Sequence, residues 1–124
     1  MIIESHAHYS HKRYDGVFRY LTSDLKAQEG QREDLLDRLR ESGVVLSIEP
    51  GIDFESNRRT AALYRQHPDF IRLAVGVHPT RTHQAPWRQR RQLEAWAREP
   101  GVAAIGETGL DYHLPRKHRL TQLL

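Results

Sequence analysis

At 124 residues the chain holds one domain and has no room for a second, since a single core usually spans roughly 100–200 residues. With 38% hydrophobic and 28% charged residues it contains no run near the ~18 apolar residues of a membrane span, and Met1–His8 lacks the basic-then-apolar pattern of a secretory signal, so a cytoplasmic protein with no membrane partner is expected. Cysteine is absent and the net charge of +3 comes from 19 basic and 16 acidic residues interleaved along the chain, which excludes disulfides and thiolate metal sites and gives charge alone little weight as a sign of nucleic-acid binding.

In chain order, Met1–Ile3 reads as a short first strand running into Glu4–His8. A long polar segment follows, containing Tyr14, Asp15 and the stretch GVFRYLTSDLKAQEG. Leu35, Leu36 and Leu39, preceded by Glu33 and Asp34, define a first helix that Gly43 ends. Val44–Ile48 is the second strand, and Glu49-Pro50-Gly51 reads as an ordinary strand exit. Ser56 is placed to cap a second helix carrying Ala61, Leu63 and Tyr64, which Pro68 stops. Phe70–Val77 is the third strand, leading to His78 and Pro79. Trp87, Leu93 and Trp96 mark a third helix, closed by Pro100 and Gly101, with Arg88, Arg90 and Arg91 on its solvated face. Val102–Gly106 is the fourth strand and delivers Glu107. Pro115 then opens a helix whose apolar stripe begins with Leu120, Leu123 and Leu124.

Strands alternating with helices imply βαβ units and a parallel sheet, and strands apolar nearly throughout are those covered on both faces. A (β/α) barrel uses about 250 residues for eight units, so this length corresponds to about four. Two architectures fit: the N-terminal half of a TIM-type barrel, which makes residues 1–124 a single incomplete domain, and a small four-stranded open sheet.

The chemistry-bearing residues cluster at strand ends. His6 and His8 are two apart, the spacing that puts two strand side chains on one face, and two imidazoles so placed can share a metal ion or lie together by chance. Glu107 is either a ligand facing inward or the first residue of an exposed loop; Gly106 and Gly109 allow tight turns around it, and Asp111 offers a second carboxylate. His78 either donates a hydrogen bond to an anionic substrate or is a loop histidine beside Pro79. His11, His67, His83, His113 and His118 fall in loops or at helix ends, where solvation is the default. Barrels and open α/β sheets both build their sites at carboxyl strand ends, where His6, His8, His78 and Glu107 all fall.

The runs IIESHAHYS, VGVHP and AIGETGLDY, in this order, resemble the first-, third- and fourth-strand motifs of the TatD family of metal-dependent hydrolases. The resemblance implies a (β/α)-barrel deoxyribonuclease acting on DNA. It implies His6, His8 and Glu107 as metal ligands, Glu107 bridging to a second ion, and His78 facing the scissile phosphate, so that Glu107 and His78 carry the catalysis. Two divalent ions, Mg, Mn or Zn, are expected in the complete protein. The family draws two further His and an Asp from later strands, so this chain alone is expected to bind metal weakly and not to turn over. The missing barrel half or another chain would cover its exposed sheet edges. The loop after His8 is longer than usual for the family, which keeps open a small-molecule phosphoester or cyclic amide as substrate. A short non-catalytic binding or assembly module is the reading from outside enzymology.

Overall fold

The computed structural model describes residues 1–22, 25–85, 89–113 and 119–123; the features expected at Trp87, Arg88, Pro115, His118 and Leu124 lie outside them. The elements run β1 (Ile2–Glu4), β2 (Phe18–Leu21), β3 (Ala27–Gly30), α1 (Arg32–Glu41), β4 (Val44–Pro50), α2 (Phe54–Gln66), β5 (Ile71–Val75), α3 (Arg90–Trp96) and β6 (Val102–Ile105). Strands β1, β4, β5 and β6 form one parallel sheet in that spatial order. Each main strand lies beside the next one in the chain. A doubly wound sheet would reverse direction part-way, whereas a barrel winds in one sense, so the order favours the barrel over the open sheet.

Local chemistry explains where the helices begin and end. At the start of α1 the Gln31 amide bonds the Asp34 carboxylate at 2.6 Å, and Gly43, with φ +92°, supplies the left-handed turn into β4. The cap of α2 differs from the expectation placed on Ser56. Asp53 is the N-cap, accepting from the Ser56 amide at 2.8 Å, while the Ser56 hydroxyl accepts from the amides of Asp53 and Ile52. Ser56 is thus the third helical residue of a reciprocal box that satisfies amides otherwise left unpaired.

The core lies between the sheet and helices α1 and α2, built from Leu36, Val44, Ala61, Leu63, Phe70, Ile71, Leu73 and Val75. Leu93 and Trp96 pack against it from α3. The outer strands are covered much less. Ile71 on β5 is fully buried, but Ile3 on β1 is 59% exposed and Ile105 on β6 is 66% exposed.

The long segment after His8, read as a loop, contains an antiparallel hairpin in which Phe18 pairs with Gly30 and Leu21 with Ala27. Phe18 meets Tyr14 edge to face and lies against Tyr20, and Arg38 of α1 lies over Tyr20 at 5.1 Å. The hairpin therefore docks on α1.

Candidate metal centre

The exits of β4, β5 and β6 are tied to one another before any functional side chain is placed. Gly51, just past β4, donates its amide to Ala74 and accepts from the Glu107 amide, and the Ile52 carbonyl accepts from the His78 amide. The Gly106 amide bonds Val75. Buried Asn57, in the first turns of α2, donates to Gly76 O and Asp53 O, both at 2.7 Å, and accepts from Gly76 N at 3.3 Å. Glu107 and His78 are therefore carried by backbone that α2 and the β4 exit hold in register.

His6 and His8 follow β1 directly. The Ala7 amide between them bonds Ile48 O at 3.0 Å, and the His6 amide bonds the Glu4 carboxylate. The two rings meet edge to face with centroids 5.0 Å apart, and their Nε2 atoms are 3.2 Å apart. Glu107 Oε1 lies 2.7 Å from His6 Nε2 and 3.6 Å from His8 Nε2. Two nitrogens and a carboxylate oxygen thus lie within 4.8 Å of one another, a donor set that suits a borderline divalent cation such as zinc. Glu107 is largely shielded, with 23% of its side chain exposed, while the two histidines are more open.

His78 reaches the same carboxylate from the other side, its Nε2 standing 3.9 Å from Glu107 Oε2. The Thr80 amide donates to His78 Nδ1 at 3.2 Å. In the neutral ring a nitrogen that accepts carries no proton, so the proton sits on Nε2, the atom facing the centre. Glu107 divides its oxygens: Oε1 belongs to the histidine pair and Oε2 faces His78.

Asp111 is not brought to this cluster. Its backbone pairs with the Gln122 side chain, and its carboxylate accepts from the His113 amide. His67 departs from the solvated default: it links α1 to α2 between Glu33 and Arg40, each at 3.2 Å, with 13% of its side chain exposed.

Glu49 corrects the reading of an ordinary strand exit. It is fully buried and accepts from the amides of Tyr9 at 2.5 Å and Ser10 at 3.1 Å. Burial pushes its carboxyl above the usual range against the pull of those bonds. Asp15 receives Arg59 and Arg32, which hold its carboxyl below the usual range, Arg59 most strongly. Tyr9 is pushed up to about 12, first by burial and then by Glu4, Glu49 and Tyr14. Neither Glu49 nor Asp15 with its two arginines carries a spacing signal in the sequence; the burial of Glu49 and the pairing of the exposed Asp15 carboxylate reveal them.

A parallel α/β sheet wound in barrel order, with His, His and Glu donors gathered at its carboxyl strand ends, describes the class of metal-dependent hydrolases. The family model for TatD-related DNases matches residues 3–122, and the chain belongs to that family. It is 33% identical over 93 residues to the 3'-5' ssDNA/RNA exonuclease TatD of Erwinia tasmaniensis, a match covering 75% of this chain and 35% of that protein. It is 27% identical over 113 residues to the metal-dependent hydrolase YabD of Bacillus subtilis, covering 91% of this chain and 38% of that one. The crystal structure of a hydrolase TatD family protein from Entamoeba histolytica superposes with a TM-score of 0.75 at 23% identity, over 98% of this chain and 42% of the other, which shows the shared fold. The chain spans little more than a third of the length of the relatives it matches.

Proposed function

We propose that this chain contributes the N-terminal ligands and one wall of the active site in a divalent-metal-dependent nuclease that hydrolyses phosphodiester bonds of DNA. The convergence of His6, His8 and Glu107 on one point carries the reading. His6 and His8 through Nε2, and Glu107 through Oε1, would hold a first cation. Glu107 Oε2, on the His78 side, would serve as a ligand to a second. When bound, such cations supply Lewis-acid stabilisation of charge on the phosphate. His78 donates from Nε2 to a non-bridging phosphate oxygen, and the Thr80 amide on Nδ1 keeps that proton in place. Imidazole donors favour zinc or manganese, and magnesium would retain more water.

Names of relatives as single-stranded DNA/RNA exonucleases support the substrate class. No helix among the described residues is long and apolar enough to cross a membrane, and together with the absence of cysteine this supports a cytoplasmic setting. The exposed apolar residues of β1 and β6 support further β/α units, or another chain, closing the sheet on both sides. His6, His8 and Glu107 are three donors where a two-cation centre needs more, so residues 1–124 alone are expected to bind metal weakly and not to turn over.

Calorimetric titration with manganese and with zinc tests the ligands: binding by the 124-residue chain should disappear in His6→Ala and in Glu107→Gln. Binding undiminished in both variants would remove the proposed centre. Cleavage of an end-labelled oligonucleotide by the 124-residue chain, unaffected by chelator, would overturn both the metal dependence and the need for further ligands.

A further inference from the structure

Glu49 is the penultimate residue of β4, among the site-bearing strand exits, yet its oxygens go to backbone amides and not to the histidine pair. Both go to the amides of Tyr9 and Ser10, the two residues after His8. The carbonyls of the same two residues are also taken by charged groups: Arg32 Nε bonds Tyr9 O at 2.8 Å and Arg59 Nε bonds Ser10 O at 2.7 Å. One further nitrogen of each guanidinium, Nη2, bonds Asp15, at 2.5–2.8 Å. One fully buried carboxylate, two arginines and one aspartate therefore fix the segment from Tyr9 to Asp15 at both ends. Much of that segment lines a groove of ≈ 490 Å³ that His6, His8, Ile52, Ser56 and Arg59 also line.

The arrangement bears most directly on His8. Its preceding residue is held by Ile48 O and its following residue by the Glu49 carboxylate, consecutive positions of β4, so the His8 backbone is clamped on either side. Burying a carboxylate carries a large desolvation penalty, and two backbone amides could be satisfied at lower cost by a neutral acceptor. What the carboxylate adds is two acceptor oxygens in a fixed fork, with charge-assisted bonds roughly twice as strong as neutral ones. We propose that Glu49 is a positioning residue for the metal centre, fixing through the Tyr9 and Ser10 amides the approach of His8 to the cation and the wall of the groove beside it. This rests on the reading of His6, His8 and Glu107 as ligands.

Zinc affinity and the NMR signals of the His8 ring, measured on the 124-residue chain, test it. Glu49→Gln keeps the shape but sets an amide group against a backbone N–H. It should weaken zinc binding about tenfold or more, the range seen when groups that orient ligands are removed, and shift the His8 ring signals while leaving those of His78 in place. Leu39→Ala, a core truncation away from the segment, is the control for lost stability and should keep wild-type zinc affinity. If Glu49→Gln does not fold, Glu49→Asp, which retains the charge with a shorter reach, should show the same weakening to a smaller degree. Zinc affinity within twofold of wild type in the folded variant, or a loss matched by Leu39→Ala, overturns the proposal. Should the wild-type chain bind no zinc, the ligand reading fails by itself. Glu49 is then judged by hydrogen exchange at Tyr9 and Ser10 and by the His8 signals, which must both change in the variant for the positioning role to stand.

Discussion

Gly76, the residue after β5, is where the fold tolerates no side chain. A Cβ there would stand 2.6 Å from Gly106 C, 2.7 Å from Glu107 O and 2.8 Å from Gly106 O. Ordinary contacts with carbon begin near 3.5 Å, so in Gly76→Ala the backbone at Gly106–Glu107 must retreat by about 0.7–1 Å. The β5 side cannot give instead, because the Asn57 side chain holds Gly76 through both N and O. Overpacking of this kind costs about 1–3 kcal/mol, measurable as a lower urea midpoint. The displacement also carries Glu107 off a position where its Oε1 is 2.7 Å from His6 Nε2. Metal–ligand distances tolerate about 0.2 Å, so zinc affinity should fall about tenfold or more even where the chain remains folded. Gly106→Ala is the internal comparison: its Cβ would meet only Ala74 Cβ, at 4.0 Å, and stability should stay near that of the wild type. Wild-type stability and zinc affinity in Gly76→Ala, or an equal loss in Gly106→Ala, would refute the steric reasoning.

Asn57→Ala removes three hydrogen bonds and leaves buried groups of Gly76 and Asp53 unpaired; at about 1 kcal/mol per bond and more for each orphaned group, a loss of about 2–5 kcal/mol is expected by urea denaturation, and a loss under about 1 kcal/mol would contradict the assigned network. Asp15 has a lowered carboxyl pKa, from Arg59 first and then Arg32. The unfolded chain therefore takes up its proton before the folded one does, and the stabilisation present at neutral pH drains away as pH falls through the folded value; Asp15→Asn should flatten this acid limb of a stability-versus-pH profile, and an unchanged slope would speak against the pairing. Tyr9 behaves oppositely at the alkaline end. An unfolded tyrosine ionises near 10 and the folded one at about 12, so stability falls as pH rises between those values, and Tyr9→Phe should remove both that slope and the step at about 12 from an ultraviolet phenol titration.

The parts of the fold that were legible in the sequence are those where a local pattern suffices. The runs around Val44–Ile48, Phe70–Val77 and Val102–Gly106 are apolar, β-branched and bounded by Gly or Pro, and each contains a parallel strand, trimmed or extended by one to three residues. The expectation of Ser56 as the cap of α2 fails because Asp53, three residues earlier, is also a capping residue type, and only the bonds show which one caps. The hairpin escaped notice because Ala27–Gly30 has no strand-forming residue; its pairing to Phe18–Leu21 and its docking on Arg38 decide it.

The two buried-side carboxylates show where pattern reading stops. Glu49 and Glu107 both follow an apolar strand run and both neighbour glycine or proline, so no local rule separates them. Glu107 meets His6 and His8 because β1 and β6 direct their exits to one point. Glu49, on the intervening β4, is turned instead to amides 39 and 40 positions earlier in the chain. The bonds that divide their roles are all long-range: one carboxylate is left facing other side-chain donors, where a cation can replace the imidazole contacts. The other has both oxygens committed to backbone amides in a buried site, where no cation can enter without breaking the segment that holds His8.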